Sequence, residues 1–120
     1  MDIFTDVTFE AARHLPKAPE GHKCRRLHGH SFRARFTVSG PLDAEAGWVI
    51  DFDRIAAAVD PVIARLDYHT LNDIEGLDNP TTEMLTRWIW RQAKPLLPEL
   101  TELTVWETPA CACVYRGEED

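Results

Sequence analysis

The sequence predicts an α+β fold, an antiparallel sheet with two helices on one face, on three observations. Apolar residues alternate with polar ones near the N-terminus, they recur every three or four residues in the middle of the chain, and short extended stretches return near the C-terminus. The elements follow in order. Ile3, Val7, Phe9 and Ala11 fall on alternate positions, as do Phe32, Ala34, Phe36 and Val38, which predicts two half-buried strands. Between them Leu15–Leu27 reads as a loop, with Pro16, Pro19 and Gly21 and the basic run Lys23, Arg25, Arg26. Gly40-Pro41 ends the second strand, and the apolar run Trp48–Phe52 reads as a return strand. Ile55, Val59, Val62, Ile63 and Leu66 form one helical face, which Pro61 is expected to kink or interrupt. Asn79-Pro80 reads as the start of a second helix, with Leu85, Trp88, Ile89 and Ala93 on its apolar face and Pro95 after its end. Leu103–Thr108 and Cys111–Tyr115 make the last pair of strands.

The 120 residues form a single domain, 1–120, and 44% hydrophobic with 28% charged residues is the composition of a chain that folds. A net charge of −7, from 13 Lys+Arg and 20 Asp+Glu, argues against a nucleic-acid or membrane-surface binder, so an anionic ligand must be met by a local basic cluster. No apolar run approaches the roughly 20 residues of a membrane span, and the acidic N-terminus is unlike a signal peptide, which places the protein in the cytosol. Cys24, Cys111 and Cys113 are an odd, sparse set, read as free thiols or ligands.

Several residues offer chemistry. His28 and His30 are two apart, so in an extended segment both imidazoles project to one face and can reach one zinc ion; His14, near the end of the first strand, can bring a third from the adjacent strand. Three protein ligands would leave an open, catalytic position, although paired core or surface histidines are the simpler reading of such a motif. Cys24 lies among Lys23, Arg25 and Arg26, whose charge favours its thiolate; it is a nucleophile or base, a spectator, or a fourth ligand. Asp67-Tyr68-His69 supplies a carboxylate and an imidazole, the materials of an orienter and a base, or equally of a cap and a surface residue. Glu107, within Val105-Trp106-Glu107-Thr108, either points outward on an alternating strand or receives a ligand, and an amino-substituted heterocycle would suit its two oxygens.

The blocks Phe9-Glu10-Ala11-Ala12, Cys24 to Phe32 with its Leu27-His28-Gly29-His30, Trp48 to Phe52, Leu66-Asp67, Leu71-Asn72, Asn79-Pro80-Thr81-Thr82-Glu83 and Glu107-Thr108 together resemble the 6-pyruvoyl-tetrahydropterin synthase family, most closely its bacterial 6-carboxy-tetrahydropterin synthase branch. The resemblance implies a tunnelling fold, in which subunits join their sheets into a barrel with active sites at subunit boundaries. It implies a lyase that converts 7,8-dihydroneopterin triphosphate to 6-carboxy-5,6,7,8-tetrahydropterin, acetaldehyde and triphosphate, on the way to queuosine. By matching position, His28 and His30 would hold zinc, Cys24 would move a proton, Asp67 would join the relay, Glu107 would anchor the pterin edge, and Thr81 and Thr82 would line its pocket. Lys23, Arg25, Arg26 and nearby Arg13 offer cations for the triphosphate. Within the same fold, 6-pyruvoyl-tetrahydropterin formation and sepiapterin cleavage are alternatives, and a non-catalytic pterin- or metal-binding protein is another.

Two positions depart from the family pattern. Arg13 stands where the family has its first zinc histidine, with His14 one place later, and Tyr68 stands where it has His, with His69 one place later. A one-residue shift on a strand turns a side chain to the other face, so His14 can serve only if a bulge near Ala12–His14 re-aims it; otherwise two histidines remain, with His22 as a conceivable substitute. At the second position a loop backbone can re-aim His69 as the base, with Tyr68 in the relay as the alternative; the expectation is the bulge, with His14 a zinc ligand and His69 the base.

Overall fold

The computed structural model describes residues 1–120. Strand β1 spans Asp2–Arg13 and β2 His28–Ser39; helix α1 spans Phe52–Ala64, β3 is the short His69–Thr70, α2 spans Thr82–Ala93, β4 Leu100–Thr108 and β5 Cys111–Tyr115. One five-stranded sheet forms in the order β3-β1-β2-β4-β5, antiparallel except where β3 runs parallel to β1. The alternation decides the rest. Phe9 and Ala11 from β1, Phe32, Ala34, Phe36 and Val38 from β2, and Leu103 and Val105 from β4 are buried in one core with Ile55, Val59 and Val62 of α1 and Leu85 and Ile89 of α2. Both helices therefore lie on one face of the sheet, as the pattern predicts.

Four expectations are corrected. Trp48–Phe52 is not a strand: Asp43 Oδ1 accepts from the N–H groups of Glu45 and Ala46, Gly47 turns with φ of 77°, and Asp51 accepts from Asp53 N–H as the N-cap of α1. Pro61 neither breaks nor divides α1, which continues to Ala64, because Val59, Val62 and Ile63 are buried around it. The second helix is capped by Thr81, whose hydroxyl accepts from Met84 N–H at 3.1 Å, not by Asn79, whose side-chain oxygen accepts from Lys17 N–H. β4 starts at Leu100, three residues earlier than expected, and a register shift at Thr37/Val38 accommodates it. The sequence reading also missed β3, which is only two residues long.

On the other face of the sheet, Asp6 receives Arg35 through two hydrogen bonds of 2.9 and 3.1 Å, and that guanidinium lies 3.7 Å from the centroid of Phe4. The hydrogen bond from Arg35, aided by the charges of Arg35 and Arg33, holds the Asp6 carboxyl below its ordinary range against the opposing effect of burial. A lowered folded-state value means that the unfolded chain binds more protons in acid. The pair's contribution is therefore present above the unfolded carboxyl value, about 3.9, and is lost as pH falls through the lower folded value. Melting temperatures of wild type and Asp6→Asn are expected to converge below about pH 4 and to separate, with the variant lower, at neutral pH.

Candidate functional site

β1 and β2 pair without irregularity to their ends: Ala11 faces His30, Ala12 faces Gly29 and Arg13 faces His28. The expected bulge at Ala12–His14 is absent, and regular alternation puts Arg13, not His14, on the same face as His28 and His30. His14 lies just beyond the strand, its backbone clamped by Asn72, which accepts from His14 N–H at 2.9 Å and donates to its carbonyl at 2.8 Å. No group of three metal-ligating side chains is assembled anywhere in the chain, so the ligand set His14, His28, His30 is corrected. The proposed substitute, His22, uses its Nδ1 to accept from Cys24 N–H.

What sits between the imidazoles is a guanidinium. Arg13 is 2% exposed. Its Nε lies 3.4 Å from His28 Nε2, Nη1 donates to Pro80 C=O at 3.2 Å and Thr82 Oγ1 at 3.1 Å, and Nη2 meets His30 Nε2 at 3.3 Å and forms a salt bridge with Glu107 Oε2. Beneath it the Phe32 ring is 5.4 Å from the guanidinium and stacks on Phe9 at 5.0 Å. His28 Nδ1 lies 2.8 Å from Arg26 C=O, so its proton belongs on Nδ1 and the Nε2 lone pair is turned to Arg13. Burial, then the charge of Arg13, lowers the His30 pKa, with Glu107 opposing; the ring is neutral at neutral pH and accepts from Nη2. The residues present do not fit a zinc ion here, because the two lone pairs that would bind it already face N–H donors of a fixed cation.

Glu107 shares the inward parity of Leu103 and Val105, so its outward reading is also corrected; its Oε1 has no protein partner. Thr82 Oγ1 accepts from Arg13 Nη1, while the Thr81 hydroxyl caps the helix. Arg13 is withdrawn from the phosphate-binding set by its burial, while Lys23, Arg25 and Arg26 are exposed, Arg25 with one N–H on Ala18 C=O. Cys24 is half-buried on a short 3₁₀ turn, Lys23–Arg25, whose link to the end of β1 is Leu15 N–H donating to Cys24 C=O at 2.8 Å. All three cysteines are free thiols.

Asp67 and His69 lie along the β1 edge, where His69 pairs with Ala11, the strand partner of His30. Asp67 Oδ1 accepts from Glu10 N–H at 2.9 Å, and His69 Nδ1 lies 2.8 Å from Asp67 C=O, which leaves Nε2 as the basic nitrogen of that ring. His69 lines an open cleft of about 430 Å³ with Glu10, Ser31, Tyr68 and, from the Arg13 cluster, His30; Asp67 and Cys24 do not. Tyr68 is 85% exposed, with φ of 60° and its N–H donating to Glu10 C=O. A side chain in this left-handed region costs about 1 kcal/mol or more, so Tyr68→Gly is expected to raise the unfolding free energy by about 1 kcal/mol in urea titration. A loss of stability would show that the ring packs on something it is not seen to touch.

Sequence reasoning names Arg13 and Asn72 but misses what they do: Arg13 as the buried cation between the imidazoles, Asn72 as the clamp on the His14 backbone. The role of Arg13 was detectable, since it continues the inward parity of Phe9 and Ala11; the role of Asn72 has no signal before β1 and the turn at Leu71–Asp73 are brought together.

The family model of 6-pyruvoyl tetrahydropterin synthase matches residues 2–118. The chain belongs to this family. Among curated relatives, the 6-carboxy-5,6,7,8-tetrahydropterin synthase of Synechocystis is 41% identical over 119 residues, covering 94% of this chain and 91% of the relative. The dihydroneopterin monophosphate aldolase of Pyrococcus furiosus is 38% identical over 108 residues, covering 88% of each. The structure of Caenorhabditis elegans 6-pyruvoyl tetrahydropterin synthase superposes with a TM-score of 0.91, covering 98% of this chain and 96% of that one; at 22% identity it shows the fold alone, which is the tunnelling fold.

Proposed function

We propose that the chain converts 7,8-dihydroneopterin triphosphate to 6-carboxy-5,6,7,8-tetrahydropterin, acetaldehyde and triphosphate, supplying a deazapurine route such as that to queuosine. The observation that carries this is the 41% identity with the Synechocystis 6-carboxy-5,6,7,8-tetrahydropterin synthase across nearly all of both chains. The geometry supports a division of labour. Glu107, with Oε2 held by Arg13, offers Oε1 to the amino-pyrimidine edge of a pterin. His69 Nε2 is the base at the open cleft, oriented through Nδ1 by the Asp67 carbonyl; Asp67 is a positioning residue, because its carboxylate holds the end of β1. Cys24 carries the second proton transfer, and Lys23, Arg25 and Arg26 meet the triphosphate.

Within one chain His69 shares its cleft with His30, which lies against Glu107, and the reading is of a homo-oligomer in which neighbouring copies complete each site. No helix is long and apolar enough to cross a membrane, and three free thiols suit the reducing cytosol. Purified protein incubated with dihydroneopterin triphosphate, with products identified by mass, is expected to yield the carboxy-pterin and acetaldehyde. A 6-pyruvoyl product, intact substrate, or turnover of sepiapterin alone would replace this reading with one of its rivals.

A further inference from the structure

We propose that Arg13 occupies the place of a metal ion at His28 and His30, so that this chain presents a built-in guanidinium there and loads no zinc between those imidazoles. The inference rests on the side-chain geometry and stands whichever pterin is the substrate.

A guanidinium has five N–H donors, and here all five are placed: one toward His28 Nε2, two on Pro80 C=O and Thr82 Oγ1, and two on Glu107 Oε2 and His30 Nε2. The imidazoles are oriented as ligands of a metal would be. His28 is fixed by a backbone carbonyl on Nδ1, and the rings stand at 89° with centroids 5.0 Å apart, both Nε2 atoms converging. The cation on which they converge comes from the chain itself. Its charge is balanced by Glu107, and its position is held by β1 pairing with β2 and by the start of α2.

A divalent ion entering this space would have to expel a 2%-exposed arginine from a carboxylate, a hydroxyl and a carbonyl, or else lie in contact with its positive charge. It would find two imidazoles and a Glu107 carboxylate that already neutralises Arg13, while His14 lies beyond the strand end with its backbone clamped by Asn72. As long as the guanidinium holds that carboxylate, two neutral nitrogens do not make the three-ligand set of an open zinc site.

The test is zinc loading of the intact protein. Wild type, exposed to excess zinc, dialysed and analysed by plasma mass spectrometry, is expected to retain far less than one zinc per chain. Arg13→His, which places a third imidazole in register with His28, is expected to retain about one, and to lose it again when His28→Ala and His30→Ala are added. Circular dichroism establishes that each variant is folded. Nitrogen-15 spectra of the wild-type rings give a readout that needs no variant: the pyrrole-type signal of His28 belongs on Nδ1, and both Nε2 signals should be unmoved by zinc. Stoichiometric zinc in wild type that the two alanine substitutions abolish, or a zinc-dependent shift of either Nε2 signal, overturns the proposal.

Discussion

Replacing Arg13 by methionine is expected to lower the unfolding free energy by about 3 kcal/mol, seen in urea titration at neutral pH, with a fall in melting temperature of roughly 10 °C. Methionine fills most of the same volume, so the effect isolates the guanidinium. Its removal strands Glu107, which is partly buried, and leaves Pro80 C=O, Thr82 Oγ1 and two imidazole nitrogens without their donors. Adding Glu107→Gln to this variant is expected to recover part of the loss, because the uncompensated charge goes while the unpaired neutral acceptors remain. A loss under about 1 kcal/mol in the single variant would mean that water or a neighbouring chain satisfies these groups in its place.

Phe32→Ala is expected to cost about 4 kcal/mol, the largest effect of any single change considered. The ring has no exposed surface, stacks on Phe9, and presents its edge to His30 at 5.4 Å. It is also the floor under Arg13. The cavity left by its removal joins the core to the candidate site, so part of the cost should reappear as disorder of the His30 ring, visible as broadening of its proton signals. Phe32→Leu, which keeps most of the volume, is expected to lose much less. Equal losses for both variants would show that the aromatic stack, and not the filling of space, is what matters there.

Much of the fold was legible because periodicity is a local property. The alternation through Phe9, Ala11, Phe32, Ala34, Phe36 and Val38 assigns those residues to one face before any partner is known, and the change of period at Ile55 marks the first helix. Trp48–Phe52 misled for the same reason: an apolar run does not say whether its backbone pairs with a strand, and here Asp51 turns it into a helix entrance. The blocks around Cys24, His28 and Glu107 were enough to name the family, which the family match over residues 2–118 bears out.

The residue composition of the site could be read along the chain, but its connections could not. Whether Arg13 or His14 faces His28 depends on the β1–β2 register, and a single bulge would have reversed the answer. Arg13 and Glu107 are 94 positions apart, and their ion pair exists because β2 lies between β1 and β4 in the sheet. Hydrophobic alternation is set by each residue and its near neighbours. A buried charge finds its partner only when strands distant in sequence have been aligned, and that alignment decided that a guanidinium fills the space between the two imidazoles.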